Sequence, residues 1–524
     1  MVRLRPGRRR PEPTPAAPEP LSEHDAGVLD GAFGHGYLVH TGGPAALPGI
    51  LAHWQVTQVG PVWLHTAPRT VVTVSRAHDR GRVVALGHPI DTDSGTTDAA
   101  SVVDGLLRSL VDAGVDAAVR RAAYLSGRWT VLLLHPASRT TAPGRGRQPR
   151  LGGLTVVPDT LASQPVYYAV GRRDATLASS DTLVAAARDI SPSTRAPELM
   201  AEIKELRPQG VVYLPGETTL YDGVRQVVPN CLLRLDVDRP GQARHERFWP
   251  FEPRVEDSDL PRVTSDFSER LRAQIALMAH LGPLAWSLTG GLDSRVTLAH
   301  LADPAPPGTF TFTYFNPRDG VRSPGAAEDV FVANLLSSRL GLPHRVLRWR
   351  KAPEGSVFAD LHRMTYPVSY ASQGAAHAMW ADLPHDIVQV QSNGGEIGTV
   401  HMRVRNTRPI TPAKAASLWL GPAFSEHPTY LEIFASYLEY AQFTDERLLG
   451  YDHHDLMYWE HRMGRWGHRK FLDGDLSHRI MVPFNDRRVL ETMHRLPEAQ
   501  RVAKALYTAV LDAAPALQVD DPTP

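Results

Sequence analysis

The chain has 524 residues, room for roughly two to four domains with a real core. Lys plus Arg total 56 and Asp plus Glu total 56, so the formal charge is zero and a nucleic-acid partner, which needs a basic surface, is not expected. A 42% hydrophobic and 21% charged composition is that of a globular protein and excludes a mainly disordered or fibrous one.

The single cysteine, Cys231, excludes an intrachain disulfide and a Cys-rich metal site, and it fits a reducing cytoplasm. No run reaches the ~18 apolar residues of a membrane helix. The opening MVRLRPGRRRPEPTPAAPEP passes from arginine to proline without the apolar core of a signal peptide, so neither export nor a membrane partner is expected.

In chain order, residues 1–22 are predicted to be a disordered basic, proline-rich tail, because they cannot bury enough apolar surface to offset backbone ordering. Residues 26–250 read as short strands separated by turns: VVTVSRA, WTVLLLH, GGLTVVPD, PVYYAVG, ATLASS, GVVYLPG and CLLRLDVD, with a helix over Ala99–Ala113. Residues 140–150 have the Gly, Pro and Arg content of a hairpin loop. The prolines around Trp249 break any regular element and mark a boundary.

Over 255–524 the texture changes. LAWSL (284–288), TFTFTYF (309–315), HRVLRW (344–349) and IVQVQ (387–391) alternate with helical stretches, the pattern of βαβ units in a parallel sheet. From about 411 to 515 the spacing predicts helices.

The stretch LAWSLTGGLDSRVTLAHL carries the chemistry. Leu288 ends an apolar strand, Gly290 and Gly291 let the backbone turn tightly, and Thr289 and Ser294 add hydroxyls before a helix whose N-terminus favours anions. That construction suits pyrophosphate. Asp293 would repel phosphate directly and makes sense as a ligand for Mg²⁺. An ordinary strand-to-helix turn with Asp as a cap explains the glycines and one polar residue but not the whole set.

T-G-G-L-D-S-R resembles the S-G-G-x-D-S loop of ATP pyrophosphatases, and most closely that of the asparagine synthetase and β-lactam synthetase family. The resemblance extends along the chain. Leu125-Ser126-Gly127 with WTVLLL, VVPDTLASQPVYYAVG and TLASSDTLVAA are similar to the family's amidotransferase-like N-terminal domain. GVRQVVPNCLLRLD with ERFW is similar to the segment that closes it. Asp329 with VFVANLLSSRLGLPH looks like a helix that places His344 at the start of the next strand. QSNGGEIG sits where the family has a second glycine loop, with Gly394, Gly395 and an acidic residue, here Glu396 in place of Asp. PFNDRRVLETMHRLP resembles the P-F-L-D-x-R segment, and KALYTAVL puts Lys504 at the position of a catalytic lysine.

The resemblance implies an α/β protein. Its N-terminal half, 26–250, would be an α+β Ntn-like sandwich, and 255–524 an adenine-nucleotide α-hydrolase-like parallel α/β synthetase domain with helical additions. It implies ATP and Mg²⁺, with Leu288, Thr289, Gly290, Gly291, Asp293, Ser294, Gly394 and Gly395 around ATP and pyrophosphate. Asp293 and Glu396 would hold the metal, and Lys504 would stabilise charge in the transition state. The activity it implies is adenylation of a carboxylate followed by transfer to an amine.

Two departures matter. Glutamine-dependent members use an N-terminal cysteine; here the chain begins Met-Val and Cys231 lies inside VPNCLLRLD, so glutamine hydrolysis is expected to be absent. Asn393 stands where asparagine synthetases have Glu and β-lactam synthetases Tyr. The expected substrates are therefore a small-molecule or peptide carboxylate and amine joined as an amide, lactam or macrolactam. Asparagine synthesis from free ammonia and a catalytically silent nucleotide-binding homologue are the alternatives, and a homodimer is compatible with either.

Glu460 is a candidate to position an amine or accept its proton, against a structural ion pair with His461 or Arg462 as the other outcome. His453 and His454, beside Asp452 and Asp455, read as a solvated loop, and Tyr458, Trp459 and Trp466 as core of the helical cap.

Overall fold

The structure is a computed structural model that describes residues 22–45, 47, 49–137, 151–207, 212–317, 324–368, 373–401 and 409–519. The expected tail before Ser22 and the expected loop at 140–150 lie outside the described residues.

Two six-stranded antiparallel sheets face each other. One runs in the order Arg225–Gln226, Tyr167–Val170, Ala175–Ala178, Tyr37–His40, Val62–Thr66, Gln55–Val59. The other runs Arg244–Arg247, Cys231–Asp236, Leu151–Pro158, Ser126–Pro136, Arg82–Ile90, Val72–Val74. Alternate residues build the layer between them: Val84, Leu86, Leu132, Leu134, Leu154 and Val156 from the second sheet meet Tyr37, Val39, Val62 and Leu64 from the first. The intervening Val83, Ala85, Val131 and Leu133 face the helices Ala99–Ala113 and Val115–Ala123 instead. Both faces are buried, which is why WTVLLL reads as an unbroken apolar run. Leu183 and Val184 of the helix Asp181–Arg188 cover the outer face of the first sheet. The result is a four-layer helix, sheet, sheet, helix sandwich, with more helix than the strand-rich sequence suggests. GVVYLPG departs from expectation: Val212–Gly216, the described part, forms no strand.

The second half holds an all-parallel sheet ordered His344–Arg348, Phe310–Phe315, Leu284–Ser287, Val388–Val390, Arg479–Met481. Four of its strands lie where the sequence places them. The fifth, Arg479–Met481, falls within the stretch expected to be helical. From Leu284–Ser287 the chain moves to one neighbour, Phe310–Phe315, whereas Val388–Val390 pairs on the other side. That reversal opens a crevice beyond the strand ends, the place where open parallel sheets bind ligands.

The PFNDRR stretch joins the halves. Asn485 donates to the Gly127 carbonyl at 2.6 Å and accepts from the Leu161 N–H at 2.8 Å, and Arg487 donates to Asn230 at 2.9 Å. Nearby, Arg128 forms a buried bidentate pair with Asp475 at 2.7 and 2.9 Å. Among the described residues no helix is long and apolar enough to cross a membrane.

Candidate functional site

The two glycine loops flank the crevice. Leu288 is fully buried at the strand end; its N–H donates to Phe312 and its carbonyl accepts from Thr313, so its backbone belongs to the sheet. The next three N–H groups are each held by a side-chain oxygen: Thr289 by Ser294 Oγ at 3.2 Å, Gly290 by Asp329 Oδ1 at 2.8 Å, Gly291 by Thr289 Oγ1 at 3.1 Å. The helix Leu292–Leu298 follows and carries Asp293 and Ser294 in its first turn.

On the adjacent strand, the chain turns at Gly394, whose φ of +103° suits glycine, into the short turn Gly395–Ile397. Glu396 Oε2 accepts the Gly394 N–H at 3.1 Å. A Cβ at Gly395 would collide with Asp293 Oδ1 and the Tyr507 hydroxyl, so only glycine lets the two loops close on each other. Asp293 and Glu396 are thus brought together from loops after neighbouring strands. Burial and the Glu396 charge push the Asp293 carboxyl up to about 7, while the Tyr507 hydrogen bond and Lys504 favour its charged form.

Lys504 precedes the helix Ala505–Asp512 with φ of +54°, a left-handed conformation rare outside glycine. Three further residues complete the cluster. Tyr507 donates to Asp293 Oδ1 at 2.9 Å, and the Tyr458 hydroxyl is pushed up by burial and by the nearby Glu396 charge. His401 donates its N–H to the Glu396 carbonyl at 3.3 Å and lays its ring 4.6 Å from that of Tyr458. Tyr507 lies one helical turn beyond Lys504, a spacing that could have drawn attention to it. Tyr458, expected to be only core, is buried but also reaches the acidic pair.

Glu460 does not join them. It starts from the same segment, the ten-residue π-helix Tyr458–Gly467, but points into the joint between the halves. Both its oxygens take 2.6 Å hydrogen bonds from Arg247, and Asn230 adds a third at 3.0 Å. The pair is fully buried, so Glu460 is a structural ion-pair residue whose partner is Arg247 rather than His461 or Arg462. His453 and His454 also differ from expectation: both are buried in the helix His453–Met457, with His453 bonded to Asp445 at 2.6 Å. Cys231 is buried in a strand and burial pushes its thiol up to about 12, the opposite of what a nucleophile needs.

Among the described residues no group of three or more His, Cys, Asp or Glu could hold a metal ion. Mg²⁺ commonly binds through one or two carboxylates with water and phosphate oxygens completing its octahedron, so the pair Asp293 and Glu396 fits that ion.

No protein-family model matches the chain, and no curated protein matches it. Solved structures match at low similarity. Glutamine phosphoribosylpyrophosphate amidotransferase from B. subtilis, complexed with ADP and GMP, has a TM-score of 0.24 and 10% identity, covering 76% of this chain and 75% of that one. An allosteric regulatory enzyme of purine biosynthesis gives 0.24 and 9%, covering 77% and 75%. Glutamine-dependent NAD+ synthetase from Acinetobacter baumannii, in complex with ADP, gives 0.18 and 11%, covering 64% of each chain. Similarity this low transfers no chemistry, and the α/β class of this chain stands on its own three sheets.

Proposed function

We propose that the protein is an ATP-dependent, AMP-forming ligase that activates a carboxylate and passes the acyl group to an amine. The observation that carries this reading is the meeting of Asp293 and Glu396 across Gly395 at the switch point of the parallel sheet, with Lys504 beside them. Thr289, Gly290, Gly291 and Ser294 line the crevice for the pyrophosphate end of ATP, and Gly394 and Gly395 form its other wall. Asp293 and Glu396 would hold Mg²⁺, which neutralises phosphate oxygens when bound.

A substrate carboxylate attacks the α-phosphorus; the bond to the pyrophosphate oxygen breaks and an acyl-adenylate forms. Lys504, whose charge acts on Asp293, stabilises the charge that develops. The amine then displaces AMP and gives up a proton. Cys231, the chain's one cysteine, is buried with its thiol pushed up, which supports an amine carried by the substrate or by a second substrate.

The test is chromatography of labelled ATP after incubation with Mg²⁺, a panel of carboxylates and hydroxylamine, which traps acyl-adenylates as hydroxamates. AMP with pyrophosphate and a hydroxamate supports the reading; ADP with phosphate overturns it. An arm with aspartate and ammonium, active alone among the panel, would assign asparagine synthesis.

A further inference from the structure

The first three N–H groups of the nucleotide loop, those of Thr289, Gly290 and Gly291, are all taken. A pyrophosphate oxygen could use the N–H groups of residues 289–291, and all three already donate to side-chain oxygens. Two of these acceptors, Ser294 and Thr289, belong to the loop and are neutral hydroxyls that can rotate to donate. The third is different. Asp329 comes from another element, the helix Pro324–Arg339, and places an acceptor-only carboxylate on the Gly290 N–H at 2.8 Å.

Asp329 is half-buried. Its helix is seated on the loop: a Cβ at Gly290 would lie 3.0 Å from Asp329 Oδ1 and 3.5 Å from Val332. The carboxylate is therefore held at the position where an anion would bind, by a helix that need not move for the side chain to rotate away.

We propose that Asp329 is a built-in competitor for the anion cradle, occupying the Gly290 N–H until a phosphate oxygen displaces it. The inference rests on the nucleotide reading of this loop. One N–H cannot serve two anions, and the displaced carboxylate still opposes the incoming charge. Nucleotide affinity is thus set below what the bare loop would give, and Asp329 favours release of pyrophosphate once it has formed.

The test is calorimetric titration of the full chain with inorganic pyrophosphate, at fixed ionic strength, in EDTA and again in Mg²⁺. Losing a charge-assisted competitor should make Asp329→Ala bind pyrophosphate about tenfold more tightly in EDTA. Asp329→Asn, which keeps an acceptor but not the charge, should gain less and guards against misfolding of the first variant. Binding by the parent with no gain in either variant overturns the inference and leaves the nucleotide reading standing. Weaker binding by both variants in Mg²⁺ alone also overturns it, making Asp329 a metal ligand. No binding by any of the proteins, with or without Mg²⁺, overturns the nucleotide reading as well.

Discussion

The Tyr507 hydroxyl donates to Asp293 Oδ1 at 2.9 Å from a helix that begins just after Lys504. This contact favours the ionised carboxyl, against burial and the Glu396 charge, which both push it up. Tyr507→Phe should therefore weaken divalent-ion binding at neutral pH by about tenfold, the usual cost of a hydrogen bond to a charged group. Mn²⁺ binding followed by electron paramagnetic resonance reads this without turnover; unchanged affinity would leave Tyr507 a packing residue.

Gly395 sits where Asp293 and Tyr507 converge, and a Cβ placed there would overlap both Asp293 Oδ1 and the Tyr507 hydroxyl, so these side chains must shift. Gly395→Ala should force the two loops apart and abolish Mg²⁺-dependent nucleotide binding, with a smaller loss of melting temperature because the strands below are untouched. Gly355→Ala is a control in open space, where φ is positive but no atom lies within 4 Å of a new Cβ. Equal effects of the two substitutions would sink the steric account.

The two loops of the candidate site are legible as loops in the sequence because turn chemistry is local. Thr289 to Ser294 and Gly394 to Glu396 are contiguous runs, each behind a strand whose apolar residues announce it. What the sequence concealed depends on tertiary placement. Arg479–Met481 is a short strand set between the helices His468–Asp475 and Arg487–Arg495, whose spacing on either side masks it. Glu460 and Tyr458 are two positions apart, but one faces Arg247 and the other Glu396. His453 and His454 look solvated beside their aspartates, yet they are buried among cap residues that lie elsewhere in the chain.

The buried pair Arg247–Glu460 makes a separate prediction. Removing one member of such a pair leaves the other charge without compensation, at roughly 3–5 kcal/mol. Glu460→Gln should therefore lower the melting temperature markedly. A variant that keeps its stability but loses turnover would return Glu460 to the catalytic role considered from sequence.

Acid should destabilise the joint through His245. Its Nδ1 donates to the Tyr440 carbonyl at 3.0 Å, its Nε2 accepts the Val228 N–H at 3.2 Å, and its ring stacks on Tyr440 at 3.9 Å. That neutral tautomer is fully satisfied, and burial lowers its pKa to about 3. The unfolded chain takes up the proton near pH 6.5 and the folded chain does not, so the stability present above 6.5 is lost as pH falls below it. The loss at pH 5 is of order 1–2 kcal/mol from this group. His245→Gln should lower the melting temperature at pH 7.5 while flattening its decline toward pH 5; an undiminished slope would assign the acid sensitivity to other buried histidines.

Glu396 offers the most discriminating substitution. Its longer side chain folds back so that Oε2 accepts the Gly394 N–H at 3.1 Å. A carboxylate has about four lone-pair positions, so several remain for a cation after that contact. Aspartate is one methylene shorter and cannot both keep the turn contact and face Asp293. Glu396→Asp should thus weaken Mg²⁺-dependent pyrophosphate release, although it conserves charge. Asp293→Asn should be worse, because it removes a charge beside the phosphates themselves. A Mg²⁺ titration of both variants separates the cases. If Asp293→Asn keeps the parent's Mg²⁺ dependence, the metal pair is wrong; if only Glu396→Asp matches the parent, the turn contact at Gly394 does not set the position of the carboxylate.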